Sequence, residues 1–84
     1  MSNAALRDKL REIISEVSEV DEIPDEAPFE ELGIDSMMAI EIVAEVERTY
    51  KLSIPEGELR EMTHFEAVYD LVRRKLEAAA DAAE

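Results

Sequence analysis

The sequence predicts an all-α fold, a small bundle of four helices in a single domain. Three observations carry this. Apolar residues recur at steps of three and four in the stretches that begin at Leu6, Ser36 and Phe65, the spacing of one helix face. Helix breakers are few, two Gly and three Pro, and Pro24, Pro28 and Pro55 all fall between those stretches. At 84 residues the chain suits one domain with a modest core, and without Cys that core has no disulfide or thiolate–metal staple.

Residues 1–5 are expected to be a disordered start or a cloning remnant, 6–77 the folded domain, and 78–84 an Ala-rich tail, helical or frayed. The first helix follows from Leu6, Leu10, Ile13, Ile14 and Val17, with Arg7, Asp8, Lys9, Arg11 and Glu12 on its other face. Residues 20–31 form a connector broken by Pro24 and Pro28, from which Ile23, Phe29 and Leu32 are expected to reach the core. Its acids Asp21, Glu22, Asp25 and Glu26 lack the central Gly and alternating ligands of a calcium loop, so the expectation is a solvated loop and no metal site.

A second helix is expected from Ser36 to about Tyr50. At about 100° per residue, Ala39, Ile42, Val43, Val46 and Tyr50 share one side, the core face. Met37, Ile40 and Ala44 form a separate strip that continues from Ser36, flanked by Glu41 and Glu47 with Glu45 at its edge. An apolar strip with a charged rim suits a protein contact surface. The competing reading is structural: the connector would fold over Met37 and Ile40. After a link anchored by Ile54, Pro55 opens a third helix through Glu58, Leu59 and Met62. It is expected to be short and mobile, since Gly57 costs about 1 kcal/mol of helix propensity. Thr63 and Glu66 have the spacing of a capping box for a last helix with Phe65, Val68, Leu71, Val72 and Leu76 inward.

The formal charge of −13, from 22 acids against nine Lys and Arg, disfavours polyanionic partners, nucleic acid and anionic membrane alike, and favours basic protein surfaces. No apolar run is long enough to cross a bilayer, and no basic segment precedes an apolar one as in a secretory leader. The cytoplasm is the expected compartment, and a monomer the expected state.

Chemistry concentrates in Leu32-Gly33-Ile34-Asp35-Ser36-Met37. Gly33 allows a turn with positive φ, and Asp35 or Ser36 can cap the second helix. Unpaired first-turn amides and the helix dipole favour an anion there, so a phosphate ester on Ser36 would be stabilised. Serving only as a cap is the plainer role for such a Ser. His64, the one imidazole, begins a different helix and has no orienting partner nearby in the sequence, which argues against a Ser–His pair. Nucleotide loops and zinc spacings are missing as well. No catalytic residue is assigned, and an enzyme is not expected in so small a domain.

Phe29-x-x-Leu32-Gly33-Ile34-Asp35-Ser36-Met37 resembles the modification motif of acyl carrier proteins. Glu41, Val43, Glu47 and Tyr50 fall at the spacing of that family's second helix, and Ile54-Pro55-Glu56 followed by Thr63 is similar to its second loop and last helix start. The likeness spans about Leu6 to Leu76. It implies the four-helix acyl-carrier fold, with 4′-phosphopantetheine moved from coenzyme A onto Ser36 by a separate phosphopantetheinyl transferase. The arm's thiol would hold acyl groups as thioesters for fatty-acid, polyketide or specialised lipid synthesis.

By the same resemblance Asp35, Glu41 and Glu47 would meet basic docking patches on acyl-transferring and condensing enzymes. Met37, Ile40 and Ala44 would supply the apolar part of that surface, with Glu56 and Glu61 secondary. Val46, Ile54, Leu59 and Met62 would line a shelter for the acyl chain; as ordinary core they would look the same in sequence.

Two positions depart from many fatty-acid carriers. Met38 stands where an acid is common two residues after the serine, and Arg48 follows Glu47 where a second acid is common. A greasier strip suggests a specialised freestanding carrier, for a polyketide, an unusual lipid or a dedicated starter unit. An aminoacyl, D-alanyl or peptidyl carrier is the alternative within the fold. An unmodified acidic adaptor, which needs the helix face but not the serine, is the alternative in another class.

Overall fold

In a computed structural model, which describes residues 3–82, four α-helices follow in order with one 3-10 turn between the first two. They are α1 (Asn3–Ser18), the turn (Phe29–Leu32), α2 (Ser36–Tyr50), α3 (Glu56–Leu59) and α4 (Phe65–Ala82), with no strand among the described residues. α1 begins at Asn3, within the stretch expected to be a disordered start or a cloning remnant, and α4 runs through Ala82, within the tail expected to be helical or frayed. The remaining parts of those two expectations, residues 1–2 and 83–84, lie outside the described residues.

α1 packs on both α2 and α4, and α3 packs on α2. The core is the one the periodicity marks: Leu10, Ile13 and Ile14 from α1, Ile42, Val43 and Val46 from α2, Phe65, Val68, Leu71 and Val72 from α4. Ile23 and Phe29 are buried beside them and Leu32 packs against them, so the connector is pinned across the bundle as expected. Ile34 and Tyr69 are buried too.

Two arginines of α1 tie the connector and α4 together. Arg7 grips Glu66 with both guanidinium nitrogens, at 2.7 and 2.9 Å, and lies 4.2 Å from the centre of the Tyr69 ring. Arg11 donates to the Ile23 carbonyl at 3.1 Å, pairs with Asp25, and covers the Phe65 ring at 4.1 Å. A bidentate fork together with an aromatic face uses the planar guanidinium in ways Lys cannot. The tempting acid cluster of the connector is thereby explained in part, because Asp25 answers an arginine.

The predicted capping box is not formed. The Glu66 amide donates to the Asp25 carbonyl at 3.0 Å and the Glu66 carboxylate is held by Arg7, while the Thr63 hydroxyl meets His64 Nδ1 at 3.1 Å. Tertiary partners have displaced the local ones. α1 and α2 end on residues with positive φ, Glu19 (61°) and Lys51 (56°), each amide reaching back four residues to Ser15 and Glu47. Both positions carry a β-carbon where Gly is preferred.

The Arg7 hydrogen bonds hold the Glu66 carboxyl below its ordinary value of 4.5. A depressed acid stabilises the fold fully above its unfolded pKa, and the contribution disappears as pH falls through the folded value. Glu66→Gln is therefore expected to melt below the parent at pH 7, with the gap closing as pH drops beneath 4.5. Thermal melts of both proteins in low salt check this.

Candidate functional site

The approach to Ser36 is built backwards from a buried ring. Phe29 is only 6 % exposed, and its amide donates to the Thr63 carbonyl at 2.8 Å, fixing the connector to the entry of α4. The 3-10 turn that follows closes on Gly33, whose φ of 83° lies in the left-handed region. The Gly33 amide donates to the Glu30 carbonyl at 3.2 Å and the Ile34 amide to the Phe29 carbonyl at 3.0 Å. A β-carbon on Gly33 would meet nothing within 4 Å, so the dihedral, not space, calls for glycine here. Ile34 then plugs inward and the chain emerges at Asp35.

Asp35, not Ser36, caps α2. Its backbone is extended, its Oδ1 accepts from the Met38 amide at 2.9 Å, and its carbonyl accepts from the Ala39 amide at 2.9 Å. Ser36 is left as the first helical residue with an exposed side chain. Among the described residues the Ser36 and Met37 amides have no protein acceptor. An exposed alcohol beside two free donors at the positive end of a fifteen-residue helix fits a phosphodiester. Asp35, expected to meet partners, is exposed but already has one carboxylate oxygen engaged.

The strip beyond Ser36 is open. Met37 is 74 % exposed and Ile40 55 %, so the connector does not cover them, and Ala44 and Glu41 are exposed beside them. Met38 differs from this expectation: it is half-buried and packs on the core, so it adds nothing to the outer strip. Arg48 pairs with Glu45 at 2.9 Å.

Glu47 has a structural task that the helix wheel hides. Its Oε2 accepts from the Ile54 amide at 2.7 Å, so this half-buried carboxylate holds the loop between α2 and α3. Glu41 makes no hydrogen bond or ion pair among the described residues and is the free acid of the strip. His64 bonds to Thr63, and no hydrogen bond leads from it to Ser36.

Between α2 and α3 runs a groove of about 290 Å³, lined by Ile40, Val43, Ala44, Glu47, Ile54, Glu56 and Leu59. Two of the four expected lining residues, Ile54 and Leu59, are there. Val46 is fully buried and Met62 is 6 % exposed, and both belong to the core instead. Val43 and Ile40 supply the wall that Val46 was expected to form. α3 is shorter than expected, one turn that ends at Leu59, with Pro55 as its cap, and Met62 lies beyond it.

Residues 8–74 match the family described as the phosphopantetheine attachment site. The anthracycline acyl carrier protein DpsG of Streptomyces peucetius is 39 % identical over 85 residues, covering 95 % of this chain and 96 % of that protein. A non-reducing polyketide synthase of Emericella nidulans is 35 % identical over 81 residues, 94 % of this chain but 3 % of the synthase. An acyl carrier protein of Thermotoga maritima, solved by crystallography, superposes with a TM-score of 0.80 at 31 % identity, over 94 % of this chain and 95 % of that one.

The fold and the site define a carrier domain. The chain belongs to the phosphopantetheine-bearing acyl carrier protein family. Its covalent group is 4′-phosphopantetheine, and its partners are of the classes the family serves, phosphopantetheinyl transferases and acyl-handling enzymes.

The geometry separates three acids of the site. Asp35→Ala is expected to cost about 1 kcal/mol for the lost cap. Glu47→Ala is expected to cost a similar amount, since it leaves the part-buried Ile54 amide without its acceptor. Glu41→Ala is expected to stay within about 0.5 kcal/mol of the parent. Urea unfolding of the three variants checks the order.

Proposed function

We propose that Ser36 is the attachment residue and that the cargo is a polyketide intermediate. The observation that carries the first half is the division of labour at the start of α2. Asp35 takes the cap, leaving Ser36 exposed beside two unpaired amides. Nothing on the chain needs to activate the alcohol, because the transferase brings its own base. When bound, the group supplies a thiol on which acyl chains ride as thioesters.

The polyketide reading draws on the names of the relatives, among them an anthracycline carrier. It draws also on the outer strip, where exposed Met37 and Ile40 alternate with a single free acid, Glu41. The strip and Glu41 form the docking face, with Glu56 at the groove's rim as a second contact. Charge matching on such a face speeds encounter more than it tightens the complex, which suits a carrier that must leave its partner quickly. The groove between α2 and α3 shelters the chain.

Incubation with coenzyme A and a broad-specificity phosphopantetheinyl transferase is expected to add one arm to the parent and none to Ser36→Ala, read by intact mass. Addition to the variant would move the site elsewhere; no addition to folded parent would favour the unmodified adaptor. Glu41→Lys is expected to slow the transfer at low salt, with the difference shrinking at high salt. Turnover of the loaded carrier by a polyketide condensing enzyme is expected to exceed turnover by housekeeping fatty-acid enzymes; equal rates would remove the polyketide assignment.

A further inference from the structure

One wall of the groove hangs between two anchors. Ile54, 7 % exposed and held by Glu47, precedes it, and Met62, 6 % exposed, follows it. Residues 55–61 between them contain no buried side chain. Their backbone hydrogen bonds stay within the hanging segment and its second anchor: Glu58 and Leu59 donate to the Pro55 carbonyl, Glu61 to Glu58, Met62 to Leu59. A single helical turn has almost no stability of its own, so ties to the rest of the molecule decide where it sits. Leu59, half-buried, supplies the apolar tie towards α2 and lines the groove.

Among the described residues the segment has one polar side-chain tie to the rest of the molecule. Lys75 of α4 lies 2.6 Å from Glu58 Oε1 as an ion pair. That oxygen is shielded from solvent and accepts no well-aligned hydrogen bond, so charge attraction alone makes the tie. Both side chains are largely covered, 23 % and 33 % exposed, which sets this pair apart from the open Arg48–Glu45 pair on α2. Glu58 and Leu59 are neighbours, so α3 is held towards α4 by one and towards α2 by the other.

We propose that Lys75 is a positioning residue that sets how far the groove opens, and through it which acyl chains the protein shelters. The proposal rests on the carrier reading above. With the strap in place, α3 is held and long or bulky cargo is excluded. With it cut, the segment pivots on Pro55 and the groove widens. Gly57 allows the opposite manipulation. A β-carbon there meets nothing within 4 Å, so Gly57→Ala stiffens α3 without a clash.

The test uses the full chain and two readouts. Amide hydrogen exchange on unmodified protein is expected to rise about three- to tenfold at Leu59, Glu61 and Met62 in Lys75→Gln and in Glu58→Gln, leaving α1 and α2 unchanged. It is expected to fall in Gly57→Ala and to return towards the parent in the charge-swapped pair Glu58→Lys with Lys75→Glu. On arm-bearing protein, the hydrolytic lifetime of a dodecanoyl thioester relative to a hexanoyl one is expected to lengthen in Lys75→Gln and shorten in Gly57→Ala. Unchanged exchange in both strap variants would overturn the strap. Altered exchange with an unchanged lifetime ratio would overturn its control of cargo. Failure to install the arm shows as a missing mass, is a failure of the carrier reading alone, and leaves exchange to decide the strap.

Discussion

The turn between Phe29 and Asp35 is the constraint on which the position of Ser36 depends. A buried aromatic ring fixes where the turn starts, and the Phe29 carbonyl receives the Ile34 amide, which fixes where it ends. Gly33 alone on this path has a left-handed backbone. With Ile34 plugged inward, the next residue must face outward, and Asp35 uses that position to cap α2. Ser36 is thus left exposed because Ile34 takes the inward position and Asp35 takes the cap. On the proposed attachment at Ser36, the exposed helix start would present the alcohol to enzymes of different shapes.

Acidity in this chain has two separable uses. Many carboxylates that look like surface charge are ties: Asp25 to Arg11, Glu66 to Arg7, Glu58 to Lys75, Asp70 to Arg73 and Arg74, Glu47 to a backbone amide. The Arg73 guanidinium holds the Asp70 carboxyl below its ordinary range, as Arg7 does for Glu66. With nine Lys and Arg against 22 acids, most basic residues are occupied inside the domain, and the excess charge faces outward unanswered. That excess destabilises the fold by self-repulsion and at the same time steers basic partners towards it.

The sequence made the fold legible because its signals were redundant. α2 begins and ends where the apolar period and the Gly-Ile-Asp-Ser run place it, and Met37 and Ile40 stand out of the core as the wheel angles require. What it hid has a common physical cause, competition from distant residues. The Thr63–Glu66 spacing is a valid local box, but Arg7 and the Asp25 carbonyl, far away in sequence, took its two groups. Glu47 reads as a rim acid because a wheel shows direction and not the loop that folds back onto it. Val46 and Val43 both lie on the inner side of α2, and only the placement of α3 decides that Val43 meets the groove while Val46 meets the core. Lys75 carried no signal at all, being one basic residue in an Arg-Arg-Lys run until Glu58 is brought beside it.

Stability in this domain is distributed to suit a carrier. The turn before Ser36 is braced by a buried ring, two backbone hydrogen bonds and a cap, so the alcohol holds its place. The opposite wall of the groove is one turn of helix with no buried residue, suspended between Ile54 and Met62. Local opening concentrates where buried apolar contacts are few, so α3 is the element expected to open first. On the proposed reading, a cargo entering beside α2 would meet a wall formed by Ile40, Val43 and Ala44 on one side and Leu59 on the other. Firm attachment and a soft enclosure, as proposed, would require unequal stability within one small core, and the scarcity of anchors between Ile54 and Met62 would supply it.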